Sequence, residues 1–301
     1  MQRREMSKME SSTSTPARTA VYKGPITDTS RWENFEPRPD DIFICTPPKC
    51  GTTWTQAIVA MLIFGTPDHG EKPGIISPWI DADFAPIDEY LAQIQTQNHR
   101  RFIKTHTPLD GIPYFPECTY IVVCRDPRDV FFSIKNHQDN MADESLAATL
   151  LERGDTEFES WVGGSFDPEN FDAQTLETPT HFLKTYWDYR DAPNIHLFHY
   201  FDMKQNLRGH IAGLAQILDI ALEDSQLDAM TEAATFENMQ AKGDQFAPNA
   251  GTGLWKKDTA FFANGKNSQW KHKLTPAQTK LFDEKTVTLL DEHQRAWLLR
   301  S

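Results

Sequence analysis

A lysine, a glycine and two hydroxyls stand together in Cys45-Thr-Pro-Pro-Lys-Cys-Gly-Thr-Thr-Trp54. Such residues suit an anion. Lysine brings charge, glycine lets the backbone approach closely, and hydroxyls donate hydrogen bonds. Two further groups fit the same chemistry. Lys104-Thr-His106 sets a cation and a base two residues apart, and residues two apart on a strand face the same side. A lone histidine at a strand end is usually structural; Lys104 beside it favours a shared reaction centre. Arg125-Asp-Pro-Arg-Asp-Val-Phe-Phe-Ser133 offers an arginine, whose planar fork grips a phosphate through two charge-assisted hydrogen bonds. The plainer reading of Arg125 is an ion pair with Asp126, Asp129 or another surface carboxylate.

The elements that position these groups follow from hydropathy. Asp41–Cys45 is a short apolar run, as a buried strand is, and Trp54, Ile58, Met61 and Leu62 recur at helical spacing after it. The chain therefore reads strand, tight loop, helix. Amides and the positive end of the helix dipole converge on such a loop, which suits a phosphate. It is not a Walker A loop, because the lysine precedes the glycine by two positions and the loop has one glycine. Residues 101–106 and 120–124 read as further strands, 194–200 as a fourth, and a helix is expected from about Pro127. Residues 181–190 and 206–218 are amphipathic helices. Strands alternating with helices imply an α/β fold, a central parallel sheet flanked by helices. Ligands bind beyond the carboxyl ends of such strands. Lys49, His106 and Arg125 each follow a strand, so they are expected on one rim.

The chain has 301 residues, enough for one large α/β domain or two small ones, and no apolar run approaches the roughly 20 residues a membrane span needs. Residues 1–20 are polar, read as a disordered tail rather than a secretory signal, with the domain over 21–301. The net charge of −13 argues against nucleic acid as a partner. A small polyanion needs only a local cluster, and Lys49, Lys104, Arg125 and Arg128 supply one. Cys45, Cys50, Cys118 and Cys124 form no C-x-x-C pair, which fits free thiols and a cytoplasmic location. Cys50, at a helix start, is either a reactive thiol or a loop filler. No metal-ligand cluster is apparent; His196 and His199 read as ordinary strand residues. Residues 137–180 are acidic and broken by Gly163-Gly164, and read either as a substrate lid or as a solvated excursion.

The loop resembles the 5′-phosphosulfate-binding loop of cytosolic sulfotransferases, usually Pro-Lys-Ser-Gly-Thr-Thr-Trp, with Cys50 in place of the serine. Lys104-Thr-His106 is similar to that family's Lys-Thr-His-x-Pro segment. Arg125 and Ser133 have the spacing of the pair that grips the donor's 3′-phosphate. Tyr200-Phe-Asp-Met-Lys204 and Thr235-Phe-Glu-Asn-Met239 resemble two segments whose aromatics meet the adenine, with Ala234 where a threonine is usual. The matches run in order over roughly residues 40–275. The resemblance implies a single domain with a P-loop-like phosphosulfate-binding loop and a sulfuryl donor, 3′-phosphoadenosine 5′-phosphosulfate (PAPS). The product nucleotide is adenosine 3′,5′-bisphosphate (PAP). It implies no metal, and a donor site of Lys49, Cys50, Gly51, Thr52, Thr53, Trp54, Arg125, Ser133, Tyr200, Phe236, Gly265 and Lys266. By the same resemblance His106 is the general base, Lys49 and Lys104 stabilise the leaving phosphate, and Ser133 holds Lys49 until the acceptor binds.

Two segments depart from the pattern. In Phe261-Phe-Ala-Asn-Gly-Lys266, Ala263 and Asn264 stand where Arg and Lys bind the 3′-phosphate; Lys266 is the candidate substitute. The dimer motif is broken at Lys271-x-x-x-Thr275-Pro276-x-x-x-Lys280, which leaves the oligomeric state open. Ser77-Pro-Trp-Ile-Asp81 and residues 101–111 look more like bacterial glycolipid sulfotransferases than animal phenol enzymes. The expected acceptor is a hydroxyl, or an amine, of a small or lipid-like molecule, with Trp79, Phe84 and Tyr90 as its pocket. The alternatives are an altered-donor or non-catalytic relative, and a nucleotide-dependent transferase of another kind.

Overall fold

Four short strands build the sheet. Ile42–Cys45 (β1), Phe102–Thr105 (β2), Thr119–Cys124 (β3) and Ile195–His199 (β4) all pair in parallel, in the order β2-β1-β3-β4. β1 and β3 are nearly all apolar and the other two mixed. The computed structural model describes residues 15–300 except Glu152 and Asn264.

Alternation along the strands divides the core into two layers. Ile42, Ile44, Phe102, Ile121 and Val123 face helices Thr52–Phe64 (α1) and Leu207–Ile217. Phe43, Ile103, Tyr120 and Val122 face the other way, against Ile94 of helix Ile87–Gln95 and Phe182, Leu183 and Tyr186 of helix Glu177–Trp187. Helices thus cover both faces of one parallel sheet. At the opposite end of the strands from the site, buried Asp41 accepts from Arg101 Nε at 2.7 Å, tying the start of β1 to that of β2.

Helix Pro127–Asn140 (α2) begins where expected, with Asp126 as cap and proline in the first turn. One boundary and one segment differ from the sequence reading. Residues 1–14 of the expected tail lie outside the described residues. Thr19 and Ala20 are anchored, their amides donating to the Asp110 carbonyl at 2.8 and 3.0 Å, so the domain begins before residue 21. The solvated alternative for residues 137–180 fails: Leu151, Phe158, Trp161, Val162 and Leu176 are buried against Phe131 and Phe282. Among the described residues no helix is long and apolar enough to cross a membrane.

Candidate active site

The register brings the carboxyl ends of all four strands to one rim. Cys45 is level with Thr105 and Val122, and Cys124 with His199. The residues that follow are Lys49, His106, Arg125 and Tyr200, and all four line one cavity of about 530 Å³.

The anion loop is shaped by two left-handed residues, Lys49 at φ 65° and Gly51 at φ 102°. At Gly51 a side chain would also meet the Tyr200 ring, 2.9 Å from a Cβ placed there. Gly51 caps α1 without a side-chain bond, so the amides of Thr52, Thr53 and Trp54, in the first turn, have no intrahelical partner. All three residues line the cavity. Trp54 is held by its indole N–H, which donates to the Ala234 carbonyl at 2.7 Å, and its ring meets Tyr200 edge-on at 5.3 Å. Phe236 lines the same end, packed on Gly265.

Arg125 is buried over the Tyr200 ring, 4.4 Å from its centre. It donates to the carbonyls of Lys266 at 2.9 Å and Lys49 at 3.4 Å. Its Nε is buried without a partner, and among the described residues no carboxylate pairs with it. The ion-pair reading of Arg125 therefore fails. Asp126 pairs with Arg128 instead, and Asp129 accepts from the Ser268 and Gln269 amides at 2.8 and 3.0 Å. Arg128, expected in the anion cluster, lies away from the cavity, stacked 3.6 Å over Trp270.

Lys104 and His106 face the cavity together, as their spacing requires. Lys104 Nζ stands 4.2 Å over the Trp79 ring, and Trp79 meets the His106 ring edge-on at 4.8 Å. Burial, opposed by the charge of Asp81, pushes the Lys104 ammonium down to about 8. His106 Nδ1 is 2.7 Å from the Thr46 carbonyl. A carbonyl only accepts, so Nδ1 carries the proton and Nε2 is a bare lone pair. Burial, then the charges of Lys104 and Lys49, push this imidazole down to about 3. Burial, with Arg125 and Lys104 nearby, pushes Lys49 down to about 7. The site thus concentrates positive charge that it cannot neutralise itself, which is the electrostatics of an anion receptor.

The model of a sulfotransferase domain matches residues 39–293. The chain belongs to the sulfotransferase family. A glycolipid sulfotransferase of Mycobacterium tuberculosis is 34% identical over 92% of this chain and 93% of that protein. An amine sulfotransferase of the rabbit, Oryctolagus cuniculus, is 31% identical over 83% and 81%. A mouse sulfotransferase solved with PAP shares the fold, with a TM-score of 0.66 and 20% identity over 89% of this chain and 90% of that one. A retinol dehydratase solved with androsterone and inactive cofactor PAP does so at a TM-score of 0.67 and 19% identity, over 88% and 84%.

For this sulfotransferase, most sequence-predicted residues meet in the cavity: Lys49, Gly51, Thr52, Thr53, Trp54, Lys104, His106, Arg125, Ser133, Tyr200, Phe236 and Gly265, with Trp79 and Phe84 on the far side. Four expectations need correction. Cys50 turns away; its amide donates to the Pro47 carbonyl at 3.2 Å, and burial pushes its thiol up to about 12, so neither nitrogen nor sulfur serves an anion. Tyr90 does not line the cavity; it packs against the opposite layer, under Arg31 at 5.3 Å. Ser133 does not hold Lys49, whose Nζ instead lies 3.1 Å from His137 Nδ1, one turn along α2. Lys266 contributes its carbonyl, to Arg125, and is not among the residues lining the cavity. Ala263 lines it; Asn264 lies outside the described residues.

Sequence reasoning missed His137 and also Asp81. Asp81 Oδ2 is buried and accepts from the hydroxyls of Thr105 and Thr107, both at 2.6 Å, and from the Trp32 indole at 3.0 Å. It thus grips the residue on each side of His106. In Ser77-Pro-Trp-Ile-Asp81 the signal for Asp81 is a carboxylate among apolar residues. Met141, Leu146, Leu150 and Phe171 extend the cavity into an apolar compartment walled also by Leu254, Trp255 and Phe261. Among the described residues no group of three or more His, Cys, Asp or Glu stands ready to hold a metal.

Proposed function

We propose that this sulfotransferase uses PAPS and transfers its sulfuryl group in line to a hydroxyl of a lipid-like acceptor, with His106 as general base. The observation that carries the reading is Arg125, a buried guanidinium with no carboxylate partner and an unused Nε, facing the amides that open α1. Burying a charge without compensation is costly, so an anion is the natural complement. Two phosphate-sized sites follow. The amides of Thr52, Thr53 and Trp54 with Lys49 suit the 5′-phosphosulfate. Arg125 and Ser133 suit the 3′-phosphate, and Trp54, Tyr200 and Phe236 the adenine.

When bound, PAPS supplies the sulfuryl group, and PAP is the product. His106 Nε2 takes the acceptor's proton, a role that typically contributes 10²–10⁴-fold. Lys49 and Lys104 present positive charge where negative charge grows on the departing phosphate. Burial first, and then the charges of Lys104 and Lys49, hold His106 down; donor charge beside both lysines offsets that second part, so the base gains basicity once the donor is in place.

The acceptor lies beyond His106, among Trp79, Phe84, Met141, Leu146, Leu150 and Phe171. The 34% identity to a glycolipid sulfotransferase supports a lipid-like molecule. A hydroxyl is favoured over an ammonium, because three cations surround the reaction centre. Asp172, in the wall, is already committed to the Ile26 and Thr27 amides at 2.7 and 3.0 Å and to the Thr27 hydroxyl at 2.7 Å.

Calorimetric titration with PAP, AMP and ADP–Mg²⁺ tests the donor. A charge-assisted bond is worth about 1.5–3 kcal/mol, so PAP should outbind AMP by roughly tenfold or more. Equal affinities would show that Arg125 and Ser133 do not read a 3′-phosphate, leaving an altered-donor relative.

A further inference from the structure

His137 is a titratable residue facing the cavity with no part in the scheme above. It lies one turn past Ser133 on the same face of α2, so both side chains point to the anion loop. Its Nδ1 lies 3.1 Å from Lys49 Nζ. Its ring packs on Trp255 at 4.7 Å and on Phe261 at 5.6 Å. Phe261 also lies under the lysine, 4.3 Å from Nζ to the ring centre. Among the described residues the lysine head thus has one hydrogen-bonding acceptor and one aromatic face, and the same wall fixes both.

We propose that His137 is the positioning residue for Lys49: it accepts one ammonium N–H through Nδ1 and so aims the remaining two at the donor end of the cavity. An ammonium has three donors and no acceptor, so this contact requires a bare Nδ1 and places the ring hydrogen on Nε2. That neutral form is the one the site enforces. Burial, with the charges of Lys49, Lys104 and His106, holds His137 well below the ordinary imidazole range. The charged groups bearing on Lys49 itself are Arg125 and Lys104, both cations that oppose its proton. His137 is thus the contact that favours the charged lysine against burial and two like charges. Lys49 also adopts a left-handed backbone, φ 65°, which a non-glycine residue keeps only where its surroundings hold it.

The test reads Lys49 directly. Protein labelled with ¹³Cε-lysine is titrated by NMR, with Lys49→Arg identifying the signal. In the parent protein the midpoint is expected near 7. His137→Phe keeps the ring's shape against Trp255 and Phe261 but removes the acceptor, and should lower the midpoint by about one unit. His137→Asn, which restores an acceptor near the Nδ1 position, should bring most of it back. PAP affinity against pH is the second readout: its alkaline fall should move to lower pH in His137→Phe and return in His137→Asn. An unchanged midpoint in His137→Phe, or equal shifts in both variants, would overturn the proposal and leave His137 as cavity packing. The PAP arm rests on the donor reading, whereas the lysine titration does not. A parent protein that ignores PAP but shows the NMR shift would sink the donor assignment and keep this one.

Discussion

The Thr46 carbonyl, 2.7 Å from His106 Nδ1, fixes which nitrogen of that histidine does chemistry. Thr46 follows β1 as His106 follows β2, so the pairing of the two strands sets the tautomer. Nε2 is left bare toward the cavity. His106→Ala is expected to lower turnover by about 10²–10⁴-fold, the usual worth of a general base, while PAP affinity changes little. Comparing kcat with calorimetric PAP binding checks this; full turnover by the variant would remove His106 from the mechanism.

Binding of PAP should draw protons from solution. Lys49 and Lys104 are held down to about 7 and about 8, so at pH 8 one is mostly neutral and the other half so. An anion beside them favours the charged forms and raises both values. The sign is therefore uptake, on the order of one proton per PAP near pH 8, fading toward zero below about pH 6, where both lysines are already charged. Calorimetry at pH 8 in buffers of different ionisation enthalpy measures it. Release of protons, or none, would show that the lysines do not face the phosphate. Lys49→Met should remove most of the uptake.

Gly265 is set against Phe236 too closely for any side chain. A Cβ placed there would lie 2.3 Å from the Phe236 ring, and φ is 55°, where non-glycine residues are strained. The position is on the cavity wall rather than in the core, so Gly265→Ala should fold. It should displace Phe236 and weaken PAP binding by about tenfold, the scale of one lost aromatic stack. Parent-like PAP affinity would mean that Phe236 does not cover the adenine.

What was legible in the sequence was whatever local pattern fixes. The two central strands, β1 and β3, read plainly because parallel strands buried on both faces are nearly all apolar, and the edge strands β2 and β4 read from shorter apolar stretches broken by Lys104, His196 and His199. Lys49, His106 and Arg125 could be gathered on one rim because each follows such a strand. What depends on facing across space was not legible. Tyr90 shares its aromatic character with Trp79 but sits on a helix in the opposite layer. His137 is one of ten histidines, and nothing local in α2 announces a lysine 88 residues earlier. Cys50 drew attention for its place at a helix start. Yet Gly51 turns the chain so that the thiol falls into the core cluster with Val130 and Phe131.

Asp81 offers the last test, because it couples stability to the placing of His106. Its Oδ2 satisfies the buried hydroxyls of Thr105 and Thr107 and the indole N–H of Trp32. Removing it strands three buried donors, and a stranded donor costs about 1–3 kcal/mol. Asp81→Ala should therefore lose at least about 3 kcal/mol of stability in denaturant. Below that transition the variant remains folded, yet the residues flanking His106 have lost their common anchor, so kcat should fall. The end of β1, α1 and Arg125 do not bond Asp81, so PAP affinity should stay near the parent value at low pH, where Lys104 is charged, and weaken more than the parent's as pH rises, because the Asp81 charge no longer supports the Lys104 ammonium. A fall in stability with unchanged kcat would show that the Thr46 carbonyl alone suffices to hold His106 in place.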